Sequence, residues 1–127
     1  MRNYRELIVW KKSMDLVTGL YKTSKVFPTH EKFGLTSQLQ RCSVSIPSNI
    51  AEGFGRKSLK DFIRFLRYSM GSLFEFQTQI EIAYNLQYIV KEDFDTNYKK
   101  SREVEALLQG LINSLTKKVK NNSENKY

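Results

Sequence analysis

A single cysteine, a single histidine and two prolines among 127 residues deny this chain several kinds of chemistry. Cys42 has no second cysteine for an internal disulfide, which agrees with a reducing compartment, and no histidine is placed to activate it as a nucleophile. A small buried hydrophobe is the plainer reading of such a thiol. His30 falls in an expected turn, where a surface role outweighs catalysis, and no Glu is followed by a His three residues later, as di-metal helical bundles require. Zinc and haem sites lose their commonest ligand for the same reason. Glu75 and Glu81, six residues apart, fall on different faces of a helix and form no acid and base pair. Long apolar runs are also missing. The start, MRNYRELIVWKKSMDL, is charged throughout, and nothing approaches the length of a signal peptide or a membrane span. The expectation is a cytoplasmic protein with no membrane association, no metal, no cofactor and no catalytic residue, hence not an enzyme.

What the chain has is positive charge: 21 Lys and Arg against 13 Asp and Glu, a formal +8. A basic surface raises affinity for phosphate backbones and anionic membranes. Its length and a hydrophobic fraction of 40% fit one folded domain, expected over residues 1–120, with 121–127 (NNSENKY) as a flexible tail.

Four apolar stripes step by threes and fours, the signature of amphipathic helices. The first is Leu7, Trp10, Met14, Val17, Tyr21 and Phe27, with Ser24 in one polar slot; Phe27-Pro28 then stops the helix. Thr36 is placed to cap the second helix. The second stripe is Leu35, Leu39, Cys42, Ile46, Ile50 and Phe54, with Pro47 inside it. Pro47 removes the hydrogen bond to the Ser43 carbonyl, so a kinked helix is expected, the alternative being a helix that ends at Ser45. The third is Phe62, Leu66, Ser69, Leu73, Phe76, Ile80 and Ala83, flanked by Leu59, Ile63, Met70 and Tyr84. Small residues at its centre, Ser69 to Ser72 with Gly71, offer a close approach to another helix. The fourth is Phe94, Tyr98, Val104, Leu108, Leu111, Leu115 and Val119, with Glu92 and Asp93 before it and Lys117, Lys118 and Lys120 at its end, matching the helix dipole. Strand patterns and repeats are absent. The fold class is therefore all-α: an antiparallel up-down four-helix bundle with a proline-kinked second helix.

Between the second and third helices lies GFGRKS. Gly-rich loops ending in Lys-Ser can cradle phosphates, but here Arg56 separates Gly55 from Lys57, Ile50 stands where the first glycine is needed, and a helix precedes the loop instead of a strand. The stretch reads as a corner, with Gly53 and Gly55 supplying positive φ and Ser58 with Asp61 starting the third helix. Its charge has a second meaning. Arg56, Lys60, Arg64 and Arg67 succeed each other at spacings of four, four and three, which places them on one face as a basic ridge, beside Lys57, if Arg56 joins the helical register. A solvated face serving solubility is the plainer alternative. Gln38, Arg41, Ser45, Asn49 and Glu52 form a polar stripe on the second helix, where Arg41 and Glu52, eleven residues apart, return to nearly the same angular position and Glu75 on the third helix could face them; the stripe reads as a partner-facing or subunit-facing network, with ordinary exposed residues as the plainer alternative.

The wording of the sequence adds to its pattern. LIVWKKSMDL, FPTHEKFGLTSQLQRCSVSIPSNIAEGFGRKS and FLRYSMGSLFEFQTQIEIAYNLQYI, within residues 4–89, closely resemble the four-helix-bundle proteins encoded by intervening sequences of bacterial 23S ribosomal RNA genes. The run Gly34-Leu35-Thr36-Ser37-Gln38, then Ser45-Ile46-Pro47, Asn49-Ile50-Ala51-Glu52-Gly53 and Gly71-Ser72-Leu73, carries the resemblance. It implies an all-helical bundle assembled as a ring-like homopentamer. The same family is similar to the accessory proteins of diversity-generating retroelements, which bind nucleic acid and associate with a reverse transcriptase; a protein partner of that kind is implied with it. Gln40 stands in place of a frequent second arginine beside Arg41, which removes one basic contact; Cys42 stands for a usual alanine, and Phe74 and Phe76 occupy positions often polar or leucine.

The leading expectation is a non-enzymatic module that oligomerises and binds structured RNA or an RNA–DNA hybrid through backbone phosphates. Arg56, Lys57, Lys60, Arg64 and Arg67 would carry the contacts, with Arg41 and the C-terminal Lys117 and Lys118 assisting. The competing expectation is an interaction scaffold whose basic face docks an acidic protein. An aromatic platform for unpaired bases is not expected, because the apolar phases assign most aromatics to the core.

Overall fold

The computed structural model describes residues 3–124, and all statements below concern those residues. Four helices carry the fold: α1 (Ile8–Thr23), α2 (Leu35–Phe54), α3 (Leu59–Asn85) and α4 (Lys91–Glu124). Short 3-10 turns at Tyr4–Glu6, Ser24–Val26 and Thr29–Glu31 complete it, and no strand occurs among the described residues. α1 packs against α2 and α4, and α3 packs against the same two helices. α2 runs unbroken through Pro47, so the alternative of an end at Ser45 falls. α4 continues to Glu124, past the boundary expected at residue 120, and residues 125–127 of the expected tail lie outside the described ones.

The second and third stripes form the core as their spacing implies. Leu39, Cys42, Ile46 and Ile50 of α2 meet Phe62, Leu66, Ser69, Leu73, Phe76, Ile80 and Ala83 of α3, all buried. Each large side chain of this set contributes roughly 1.5–3 kcal/mol by leaving water.

The first stripe is out of phase. The buried residues of α1 are Val9, Ser13, Leu16 and Leu20, whereas Met14 and Tyr21 are exposed. Trp10, Met14 and Val17 turn instead toward an open apolar groove shared with Val44, Pro47 and Ala51 of α2. Two stripes about 100° apart fit the same spacing on this helix, and a serine in the true one disguised it. Ser13 is tolerated in the core because its hydroxyl donates to the Val9 carbonyl at 2.7 Å. α4 repeats the lesson. Its buried face is Asn97, Ser101, Val104, Leu108, Ile112 and Leu115. Asn97 donates to the Asp93 carbonyl at 2.8 Å and to Thr23 Oγ1 at 3.0 Å, and Ser101 donates to the Tyr98 carbonyl at 2.6 Å.

Two local expectations are corrected. Thr36 does not cap α2: its hydroxyl is buried without a partner, and the Glu31 carboxylate accepts the Leu35 N–H at 3.1 Å in its place. Gly71 is not a point of helix contact either, since a Cβ there would meet nothing within 4 Å. The close approach belongs to Ser69, whose hydroxyl donates to the Ile46 carbonyl across the interface at 2.8 Å.

Candidate nucleic-acid interface

The corner between α2 and α3 is built by packing as much as by turn chemistry. No glycine has positive φ, and Gly55 closes α2 in right-handed geometry, its N–H reaching the Ala51 and Glu52 carbonyls. Gly53 serves a different need from the one its position suggested. A Cβ on it would stand 2.6 Å from Phe65 Cβ and 3.1 Å from Phe62 Cδ1, so only hydrogen lets α2 lie this close to α3. Ser58 caps α3, its hydroxyl accepting the Asp61 N–H at 3.1 Å.

On this frame Arg56, Lys57, Lys60, Arg64 and Arg67 are placed around the corner and along the first turns of α3, and all five are exposed. Arg56 pairs with Glu52 at 2.9 Å and Arg64 with Asp61 at 3.0 Å, while Lys57, Lys60 and Arg67 form no ion pair among the described residues. Five cations thus face two carboxylates, and an excess of positive charge remains. The pairs themselves are solvent-exposed and stabilise the fold by less than about 1 kcal/mol each. Both arginines also lie against aromatic rings: the Arg56 guanidinium is 4.6 Å and that of Arg64 5.3 Å from the Phe65 centroid. Phe65 in turn meets Tyr68 edge to face at 5.5 Å. Tyr68 is the aromatic that sequence reasoning missed. It lies off the α3 core stripe and is 49% exposed, a position legible from its phase beside Arg67.

The end of α4 joins this corner. Ser58, Leu59 and Lys60 share a groove of about 250 Å³ with Val119, Asn122 and Ser123, which brings the exposed Lys117, Lys118 and Lys120 to the same end of the molecule. Arg41 does not belong here. Thirteen residues before the end of α2 at Phe54, it lies about 20 Å back along the axis of that helix.

The polar network divides in two. Gln38, Arg41, Ser45 and Glu75 do line one groove of about 320 Å³ between α2 and α3, together with Cys42, Ser72 and Gln79. Within it Ser45 Oγ and Ser72 Oγ are 2.8 Å apart; Asn49 does not line the groove but donates to the Ser45 carbonyl at 2.8 Å and hydroxyl at 2.9 Å. Arg41 and Glu75 form no ion pair there among the described residues, and Glu52 is absent from the groove, committed to Arg56. Angular coincidence of Arg41 and Glu52 does not make contact, because eleven residues separate them by about 16 Å of helix. Cys42 is buried beside this groove, its thiol pushed up to about 12 by desolvation and then by the nearby Glu75 charge.

His30 is exposed in the turn Thr29–Glu31, with Nε2 3.5 Å from the Tyr88 hydroxyl. Among the described residues no group of three or more His, Cys, Asp or Glu is arranged to hold a metal, and no helix is long and apolar enough to cross a membrane.

Residues 5–110 match the model of a protein family described as 23S rRNA-intervening sequence protein. The chain is also similar to a solved crystal structure, a protein with unknown function from the S23 ribosomal protein family of Bacteroides thetaiotaomicron VPI-5482. The two share 25% sequence identity and a TM-score of 0.77, over 83% of this chain and 98% of that one. No curated protein matches the sequence.

Proposed function

The chain belongs to the 23S rRNA-intervening sequence protein family, and on that premise we propose that it is a non-enzymatic module that self-assembles and binds structured RNA or an RNA–DNA hybrid through backbone phosphates. One observation carries this reading: the α2–α3 corner gathers Arg56, Lys57, Lys60, Arg64 and Arg67, of which, among the described residues, two are paired, with Glu52 and Asp61, and the α4 lysines lie alongside. Helix stability does not account for that placement. Lys60 occupies the first turn of α3, where the positive end of the helix dipole makes a cation unfavourable by roughly 0.3–1 kcal/mol.

The bundle itself is read as antiparallel and up-down with α2 bent at Pro47, supported by the pairing of Thr23 with Asn97 and of Asp15 with Lys100. Repetition of the corner around a homo-oligomer, a pentamer by family resemblance, multiplies weak phosphate contacts into tight binding. The cationic residues act as point charges and guanidinium forks toward phosphate, which yields affinity without sequence preference.

A salt titration tests the reading. Anisotropy of a labelled RNA hairpin should report affinity that falls linearly in log salt, with the slope reduced by about one for each of Lys57→Ala, Lys60→Ala and Arg67→Ala. Absence of binding at low salt overturns it and transfers the basic face to an acidic protein partner.

A further inference from the structure

Tyr68 is exposed over about half its surface at the C-terminal edge of the cationic face, directly after Arg67. Its ring is held edge-on against Phe65, which is only 8% exposed, and the Arg64 guanidinium lies 6.0 Å from the Tyr68 centroid. The hydroxyl makes no hydrogen bond to another described residue, so the side chain is positioned by its ring alone. One turn further on, Gly71 leaves the helix backbone bare: a Cβ there would find nothing within 4 Å. Gly71 weakens helix propensity and is not needed for helix packing, yet it follows Arg67 at a spacing of four. The result is an oriented aromatic plane next to an open step on the helix. Cations lie toward the N-terminus of α3 (Lys60, Arg64, Arg67), and Glu75 begins the acidic half beyond.

We infer that Tyr68 is a stacking platform for an unpaired nucleotide base, so the ligand class of this face is single-stranded or looped nucleic acid, which among the ligands proposed above selects structured RNA with unpaired loops over a continuous RNA–DNA hybrid. This rests on the phosphate-binding reading above. Arg67 and Lys60 hold the backbone phosphates flanking the base, and Arg64, fixed by Asp61, sets the edge of the platform. Stacking is indifferent to base identity because every base has a π face, in keeping with a site that lacks base-edge readers.

The test uses the full chain with two labelled probes, an unpaired oligonucleotide of about ten nucleotides and a blunt duplex of the same length. Tyr68→Ala is expected to weaken single-strand binding about tenfold, leave duplex binding within about twofold and leave the salt slope unchanged. Tyr68→Phe, which keeps the plane and loses only the hydroxyl, should bind like the parent. Lys60→Ala with Arg67→Ala should weaken both probes and reduce the salt slope by about two. If Tyr68→Ala leaves single-strand binding intact while the double cation variant weakens both probes, the platform is refuted and the phosphate reading survives. If the parent binds neither probe at about 50 mM salt, both fall. Tyr68 is half exposed, so an unchanged thermal midpoint in Tyr68→Ala confirms that the loss is not one of folding.

Discussion

Gly53 and Phe65 face each other across the α2–α3 interface at a distance that leaves no room for a methyl group: an added Cβ would stand 2.6 Å from Phe65 Cβ, with the Phe62 carbonyl 3.3 Å away. Neither neighbour is the free end of a flexible side chain, so the helices themselves must move apart. Gly53→Ala is therefore expected to destabilise the protein by roughly 1–3 kcal/mol, despite a gain of up to about 1 kcal/mol in helix propensity. Gly110→Ala in α4 is the control, because its Cβ would meet nothing within 4 Å and only the propensity gain remains. Urea unfolding of the two variants should shift the midpoint in opposite directions.

Much of this fold could be read from the residues, and the failures share one cause. The α2 and α3 stripes are apolar at nearly every buried position, so their phase is unambiguous. In α1 and α4 the core face contains Ser13, Asn97 and Ser101, each made acceptable by a hydrogen bond to a carbonyl one turn back. A spacing argument counts such positions as polar and moves the stripe toward the nearest aromatic. Lys60, Arg64 and Arg67 are legible as one face because i, i+3 and i, i+4 spacing fixes it, whereas Arg56 precedes the Ser58 cap and lies outside the α3 register. Their acids are legible only in part: Asp61 stands out as a start signal for α3, while Glu52 falls on the polar stripe of α2 by its phase although Arg56, four residues on, is the partner within reach. The function of Gly53 could not be read from the chain, since it depends on how closely α3 lies.

The Glu52 carboxylate draws one guanidinium of the cationic face toward itself, accepting from Arg56 Nη2 at 2.9 Å. Replacing it with Gln leaves the helix intact and removes the competing charge. Glu52→Gln is expected to change stability by less than about 0.5 kcal/mol, since the pair is exposed, and to raise affinity for an RNA hairpin severalfold at low salt. The salt slope should steepen by about one as Arg56 becomes available to phosphate. Unaltered affinity would place Arg56 outside the contact surface.

Cys42 should be a poor nucleophile in the folded protein and a sensor of alkaline unfolding. Burial, reinforced by the Glu75 charge, pushes its thiol from 9.0 up to about 12, and Sγ points its hydrogen at the Leu39 carbonyl, 3.3 Å away. At neutral pH the thiolate fraction is then about a thousandfold below that of a free cysteine, and alkylation by iodoacetamide should proceed only as fast as the chain opens. Because the folded thiol titrates later than the unfolded one, its contribution is fully present below about pH 9 and is lost as pH rises from there toward 12. Cys42→Ala should flatten the decline of the thermal midpoint over that range, and alkylation as fast as that of an unfolded control would contradict the burial argument.

Glu31 joins three segments through one carboxylate. Oε1 accepts the Leu35 N–H at 3.1 Å, capping α2, while Oε2 accepts the Tyr88 hydroxyl at 2.8 Å, tying the α3–α4 connection to the same point. Gly34 makes room for it, since a Cβ there would stand 2.6 Å from Oε1. The Leu35 hydrogen bond, then that of Tyr88, with a smaller pull from the adjacent His30, holds the Glu31 carboxyl below its ordinary 4.5, and the same Tyr88 bond raises that hydroxyl above 10.0. The sign of each shift sets its pH window. A depressed carboxyl stabilises the fold above its ordinary value and ceases to do so as pH falls through the folded value; a raised phenol contributes below 10.0 and ceases to do so as pH climbs past it. The link is therefore strongest between these limits and weakens at both ends. Thermal midpoints of the parent, Glu31→Gln and Tyr88→Phe across pH should show the parent losing stability on the acid side below 4.5, Glu31→Gln less stable at neutral pH with a shallower acid slope, and Tyr88→Phe without the alkaline loss. Parallel acid slopes in the parent and Glu31→Gln would mean that the acid sensitivity of the fold lies elsewhere.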